Sequence, residues 1–244
     1  MLNAQGKYIA FLDADDAWLP DKLKMQVEYL ERNNNLGLVY TDVYILNNRR
    51  FTASKQGGVR CFQRRPPFRG KVCQELFLDN PIMTSSVLMR KDCFEKTGLF
   101  KPLLSPIEDY DIWLRTAVFY EMDFIDIPLV KYRDYTGTFN KNVILTLTNI
   151  INTLNGFLTD YPAVANLLGK KAKQRVALHY VMLGKRYLLR ADFRKAFYNF
   201  NLAQRLTKSI VLPFYIFFSS FFDCLMIIPR YFKNLIYKVM PGIG

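Results

Sequence analysis

Tyr8-Ile9-Ala10-Phe11-Leu12 is a continuous apolar run that stops against Asp13-Ala14-Asp15-Asp16, and this junction constrains the fold more than any other feature of the chain. Five apolar residues without alternation suit a strand buried on both faces, which requires a sheet covered by helices. The acidic end of such a strand would emerge at the carboxyl edge of the sheet, where open α/β sheets bind their ligands. Pro20 then suits the first position of a helix, with Leu23, Val27 and Leu30 at helical spacing until the turn-rich Asn33-Asn34-Asn35. The expected unit is strand, acidic turn, helix.

The same alternation continues. Leu38 to Ile45 reads as a strand, Asn47 to Gly70 as a basic loop rich in Gly and Pro, and Ser85 to Met89 as a short strand. Asp92 can cap a helix ending at Gly98, Asp109 to Phe119 reads as another helix, and Phe124 to Tyr132 as a closing strand. Residues 1–139 therefore form an α/β domain. Beyond about Asn140 strand signals cease and helical periodicity takes over, with breaks at Pro162, at Ala191-Asp192 and at Pro213. Within this helical region, 140–208, Ala177–Leu188 and Ala196–Leu206 resemble a tetratricopeptide-like hairpin, with Gly184, Ala191, Ala196 and Ala203 as small residues where helices approach. The last segment, 209–244, carries the apolar run Ile210 to Ile228, interrupted by Pro213 and Asp223. It suits either a helix lying on a membrane or a buried helix of the body.

Charge narrows the function. Lys and Arg number 34 against 21 Asp and Glu, a formal +13, so the chain should meet something anionic: phosphate, nucleic acid or a membrane surface. The basic residues cluster at Lys170-Lys171-Lys173-Arg175, Lys185-Arg186, Arg190 and Arg194-Lys195, beside the apolar segment. That pairing fits an anionic membrane surface at the cytoplasmic face; no nucleic-acid module is recognisable, so nucleic acid ranks last. Cys61, Cys73, Cys93 and Cys224 form no C-x-x-C pair, and Met1 to Gln5 does not open a secretory signal, both of which point to the cytoplasm. With His179 as the single histidine, most His-rich metal sites and any triad that needs a second imidazole are excluded. Carboxylates must carry the chemistry.

Two pairs of them stand out. Asp13 and Asp15, two apart at a strand end, would share one face about 6.6 Å apart at ~3.3 Å per residue, a spacing that lets both meet one Mg²⁺ or Mn²⁺ beside a diphosphate. The alternative is a solvated turn in which Asp16 caps the next helix. Glu108-Asp109, before an amphipathic stretch, is either a helix cap or a pair containing a general base. Thr84-Ser85-Ser86 could line a ligand pocket. Trp113 is expected in the core, Arg115 paired with Asp111 or Glu108, and His179 in a structural role.

Taken together, GKYIAFLDADDAWLPDKL (Gly6 to Leu23), TSSVLMRKDCFEKTGLF (Thr84 to Phe100) and IEDYDIWLRTA (Ile107 to Ala117) resemble, in this order, the family 2 glycosyltransferases. The resemblance covers roughly Met1 to Thr138. It implies the GT-A fold and inverting transfer of a sugar from a nucleotide-diphospho-sugar to an acceptor hydroxyl, in cell-surface polysaccharide biosynthesis. Asp13 and Asp15 match the family's D-x-D motif, the first acid meeting ribose or sugar and the second the metal. Asp109 matches the acid of the E-D motif, the catalytic base, with Glu108 as its positioner.

The match has two departures. Family members normally begin with a V-I-I-P-x-Y-N strand and an acidic segment holding the nucleobase, whereas Met1 lies just before the D-x-D strand. The resemblance thus implies an N-terminally truncated domain with impaired activity, or a non-enzymatic remnant acting as a binding module. The family also often places a His shortly after a Y-R pair; here Tyr132-Arg133 leads to Tyr135 at that position.

Overall fold

The computed structural model describes residues 3–47, 59–134 and 142–208. Two compact units are present, residues 1–172 and residues 173–244. The first is built on a mixed sheet with helices, and the second, as far as it is described, is helical.

The chain enters through β1 (Tyr8–Ala10) and β2 (Ala17–Trp18), then α1 (Lys22–Arg32) and the long β3 (Leu36–Asn47). After β4 (Val59–Arg60) come α2 (Cys61–Arg64) and α3 (Cys73–Leu78), a 3-10 turn at Thr84–Ser86, and β5 (Leu88–Arg90). Then follow α4 (Cys93–Thr97), α5 (Glu108–Phe119) and β6 (Glu121–Asp134). Strand order across the sheet is β1-β5-β3-β6-β2, with β4 added on β3. The centre is the parallel pair β3 and β6, registered Tyr40 to Phe124 and Val43 to Val130; β5 runs antiparallel to β3, and β2 antiparallel to β6.

Several expectations change here. The first strand ends at Ala10, not Leu12, and only Ile9 of its three residues is buried. The reason is its place at the end of the sheet, where it pairs with β5 through Ile9 and Met89. An apolar run was legible, but which strand lies centrally was not: that is β3, whose Leu38, Val39, Tyr40 and Val43 are all but fully buried. The strand expected from Ser85 is a 3-10 turn followed by β5 from Leu88. Part of the expected 47–70 loop is β4 and α2, which bury Cys61 against Val43 and Val130.

α1 is turned from its expected face. Leu23 is 41% exposed, whereas Lys22, Gln26 and Leu30, at i, i+4 and i+8, face inward. Leu30 joins Leu36, Val39, Leu88 and Ile125 in one core cluster, each such side chain contributing about 1.5–3 kcal/mol by leaving water. Gln26 tolerates burial because its Nε2 donates to the carbonyls of Val39 and Ser86, at 3.1 and 2.8 Å. The helix starts at Lys22 rather than Pro20, after Asp21 in the left-handed region (φ 66°). Other signals held: α4 ends at Gly98 with φ 69°, a backbone that a side chain would resist, and α5 begins within one residue of its expected start.

The first unit also includes α6 (Val143–Asp160) and α7 (Pro162–Leu168), with Pro162 starting the latter as its fixed φ favours. Phe157 stacks near Phe77, Tyr161 near Phe119, and Asn149 donates to the carbonyl of Ser105, so these helices hold α3, α5 and the segment before α5. α8 (Lys170–Leu188) spans the boundary between the units, and α9 (Phe193–Thr207) follows a turn in which Ala191 has φ 58°. In the second unit Gly184 admits the ring of Phe200, which a Cβ would meet at 2.4 Å, and Ala196 and Ala203 are buried, as the small-residue pattern of a hairpin requires. Ala191 serves the turn instead. Among the described residues no helix is long and apolar enough to cross a membrane; Ile210 to Ile228, and Tyr135, lie outside them.

Candidate active site

Asp13 to Asp16 form a turn rather than a strand end, closed by the Asp16 N–H donating to the Asp13 carbonyl at 3.1 Å. The two-apart, same-face argument for Asp13 and Asp15 therefore does not apply; both side chains are presented to solvent from a turn. Three contacts fix it. The Asp13 N–H donates to Ser85 Oγ at 3.0 Å, the Trp18 indole N–H donates to the Ser85 carbonyl at 2.8 Å, and the Arg133 N–H donates to Asp16 Oδ1 at 3.0 Å. Asp16 thus holds β6 to the turn and does not cap α1.

The second acidic pair opens α5. Asp109 Oδ2 accepts from the Thr84 hydroxyl at 2.6 Å and Oδ1 from the Tyr110 N–H at 2.6 Å. Glu108 is partly buried, and its Oε2 has no hydrogen-bond partner among the described residues. α5 itself is rigidly seated: Ile112, Trp113 and Leu114 are fully buried, and the Tyr110 hydroxyl reaches the carbonyls of Leu76 and Phe77. Arg115 is paired with Asp111 at 2.5 Å and caps the carbonyls of Thr97 and Leu99, the structural role expected of it. Trp113 meets Phe11 edge-on at 5.4 Å, and Phe100 touches both rings. Because Phe11 lies two residues before Asp13, this aromatic contact draws the acidic turn toward the start of α5.

Thr84 and Ser85 are the pivot between the two motifs, one hydroxyl on Asp109 and the other on the backbone of Asp13. Their convergence is also electrostatic. The Asp13 carboxyl is raised above its ordinary range, first by lost hydration and then by the negative charges of Asp16, Asp109, Asp15 and Glu108. Burial likewise raises Asp109, opposed by the Thr84 hydroxyl and the Tyr110 N–H, with Glu108 adding to the rise. Asp16 is raised by burial, which the Ser85 hydroxyl and the Arg133 N–H oppose. Five carboxylates thus share one basin, which favours a cation.

The residues fit one hard divalent ion of a particular kind. Among the described residues no three His, Cys, Asp or Glu side chains are placed to form an all-protein cage. Exposed Asp15 and Asp13 oxygens do suit Mg²⁺ or Mn²⁺, which bind through one or two carboxylates and complete their shell with water and phosphate oxygens.

One buried group escaped sequence reasoning, and a second is buried as its expected structural role requires. Lys22 is 1% exposed, its Nζ has no hydrogen-bond partner among the described residues, and it sits 4.3 Å over the Trp18 ring. Burial pushes its pKa down to about 7. His179, in the second unit, is buried with neither ring nitrogen bonded among the described residues, and burial with the nearby Arg175 charge lowers it to about 4. Nothing in the sequence marks Lys22, since a lysine at a helix start is ordinarily solvated.

Comparison with known proteins points the same way. Residues 1–98 match the family described as Glycosyl transferase family 2. An uncharacterized glycosyltransferase of Methanocaldococcus jannaschii is 31% identical over 131 residues, 53% of this chain and 43% of the relative. Another, of Rickettsia conorii, is 31% identical over 137 residues, 56% of this chain and 21% of the relative. The UDP-Glc:alpha-D-GlcNAc-diphosphoundecaprenol beta-1,3-glucosyltransferase of Escherichia coli is 44% identical over 45 residues, 18% of this chain and 17% of its own. The matched stretches span less than half the length of each of these relatives.

Proposed function

Through residues 1–98 the chain belongs to glycosyl transferase family 2, and on that premise we propose that the basin of Asp13, Asp15, Glu108 and Asp109 transfers a sugar, with inversion, from a nucleotide-diphospho-sugar to an acceptor hydroxyl. The observation that carries this reading is the Thr84-Ser85 pivot, which brings two acidic motifs far apart in sequence to one place. Asp13 is assigned to the ribose or donor sugar, and Asp15, with Asp13, to Mg²⁺ or Mn²⁺. When bound, that ion neutralises charge on the diphosphate leaving group.

Asp109 is assigned as the general base. It takes the proton of the acceptor hydroxyl as the oxygen bonds to the anomeric carbon and the bond to diphosphate breaks, the proton ending on the Asp109 carboxyl. Inversion in a single displacement needs no covalent nucleophile, so one buried histidine elsewhere is no obstacle. The surroundings of Asp109 suit a base, because burial raises its basicity while Thr84 and the Tyr110 N–H keep it ionised and fix its plane. Glu108, beside it, is the positioning residue.

The acceptor we favour is a lipid-linked sugar at the cytoplasmic face of a membrane, as in cell-surface polysaccharide assembly. Support comes from the diphosphoundecaprenol acceptor in the name of the Escherichia coli relative and from the +13 charge of this chain. Asp109→Asn tests the assignment: nucleotide-sugar affinity should persist while transfer falls about 10²–10⁴-fold. Near-normal turnover would remove Asp109 from the reaction.

A further inference from the structure

The second unit presents solvent with side chains that a soluble helical hairpin would ordinarily bury. On α8, Leu178 is 49% and Met182 43% exposed; on α9, Phe193 is 57% and Phe197 52% exposed. Each pair is four apart and so lies on one helical face, the α8 pair opposite buried Val176 and Leu183, and the α9 pair about a quarter-turn from buried Ala196 and Ala203. Basic residues occupy the same outward faces. Lys185 and Arg186 stand one turn beyond Met182 on the α8 face, and Arg194 lies beside both phenylalanines of α9. Over residues 173–208 there are nine Lys and Arg against a single acid, Asp192, and that acid is held by Lys195.

We propose that the outward faces of α8 and α9 are a docking surface for an anionic lipid bilayer, with Leu178, Met182, Phe193 and Phe197 entering the headgroup boundary and the flanking arginines meeting lipid phosphates. The inference deepens the membrane-side location given above and does not depend on sugar transfer. Charge complementarity selects an anionic partner, and the interleaved apolar side chains select among anionic partners. A nucleic acid or other soluble polyanion would satisfy the arginines and leave two leucine-sized and two aromatic side chains wet. A bilayer satisfies both, since its interface is charged at the surface and apolar a few ångströms below. Aromatic side chains are also favoured at that depth.

Co-sedimentation of the full chain with phosphatidylcholine vesicles, with and without phosphatidylglycerol, tests the surface. Binding should require phosphatidylglycerol and weaken with salt. L178Q/M182Q and F193S/F197S should each weaken partitioning about tenfold through lost apolar burial, and R186Q/R194Q about thirtyfold, at ~1 kcal/mol for each of the two basic residues near the surface. Exposed positions leave the fold intact, which unchanged helical circular dichroism checks. Unaltered partitioning in all three variants would assign attachment to residues 209–244 and overturn the proposal. So would equal binding to vesicles lacking phosphatidylglycerol, or heparin binding with no vesicle binding. Vesicle binding by a chain that binds no nucleotide sugar would instead sink the transferase reading and leave this one standing.

Discussion

The Thr84 hydroxyl donates to Asp109 Oδ2 at 2.6 Å, from a 3-10 turn whose next residue, Ser85, accepts the backbone N–H of Asp13. A single turn therefore sets the plane of one acidic motif and the position of the other. The Thr84 bond favours the ionised form of Asp109, and burial opposes it.

Removing that bond should move the pH dependence of transfer in a defined direction. A base must be ionised, and Thr84→Val takes away a group that holds the Asp109 pKa down, so the acid limb of the kcat/KM profile should shift to higher pH. Thr84→Ser, which keeps a hydroxyl, should restore the wild-type limb. Identical profiles for the valine variant and wild type would show that Thr84 does not set the ionisation of the base.

The divalent ion has its own test. Asp15→Ala should abolish the Mn²⁺ dependence of nucleotide-sugar binding, measured by titration calorimetry, because Asp13 alone shares its charge with four neighbouring carboxylates and is partly protonation-prone. Unchanged Mn²⁺ dependence would place the ion elsewhere.

Lys22 makes stability depend on pH. Its folded pKa of about 7 lies below the ordinary 10.5. Below pH 7 both folded and unfolded chains carry the proton, and the folded state bears the full cost of a buried ammonium. Between about 7 and 10.5 the folded state has released the proton and the unfolded state has not, so stability rises with pH. Lys22→Met should therefore stabilise the first unit at pH 6 by on the order of a few kcal/mol, the gain shrinking as pH rises. Urea denaturation at several pH values reads this directly; a constant difference would exclude the lysine as its source.

His179 acts in the opposite range. With a folded pKa of about 4 and an ordinary value of 6.5, it contributes stability above pH 6.5 that is lost as pH falls toward 4, because only the unfolded chain takes up the proton. Amide exchange in α8 and α9 should accelerate over that interval, and His179→Leu should remove the acceleration. An unchanged acid response would mean that other groups govern the second unit.

These two residues show how far the sequence alone reaches. Segments with a local signature were legible: the Gly98 stop, the break at Pro162, the α/β alternation followed by helices, and the small Gly184 that admits Phe200. The acidic motifs were legible too, as residue types in a characteristic order. What was misread depended on neighbours distant in the chain. α1 buries Lys22 and Gln26 rather than Leu23 because carbonyls of Val39 and Ser86 and the ring of Trp18 receive them.

The sequence by itself determined which elements form and which residues could carry chemistry, since helix and strand preferences, caps and breaks arise from short-range sterics and hydrogen bonds. Only the tertiary structure decided that Asp13 and Asp109 share one basin, because they meet through Ser85, 72 residues from Asp13, and Thr84, 25 residues from Asp109. The raised pKa of Asp13 and of Asp109 was decided there as well. A pKa reports hydration and the charges in space around a group, and neither is encoded in the residues beside it along the chain.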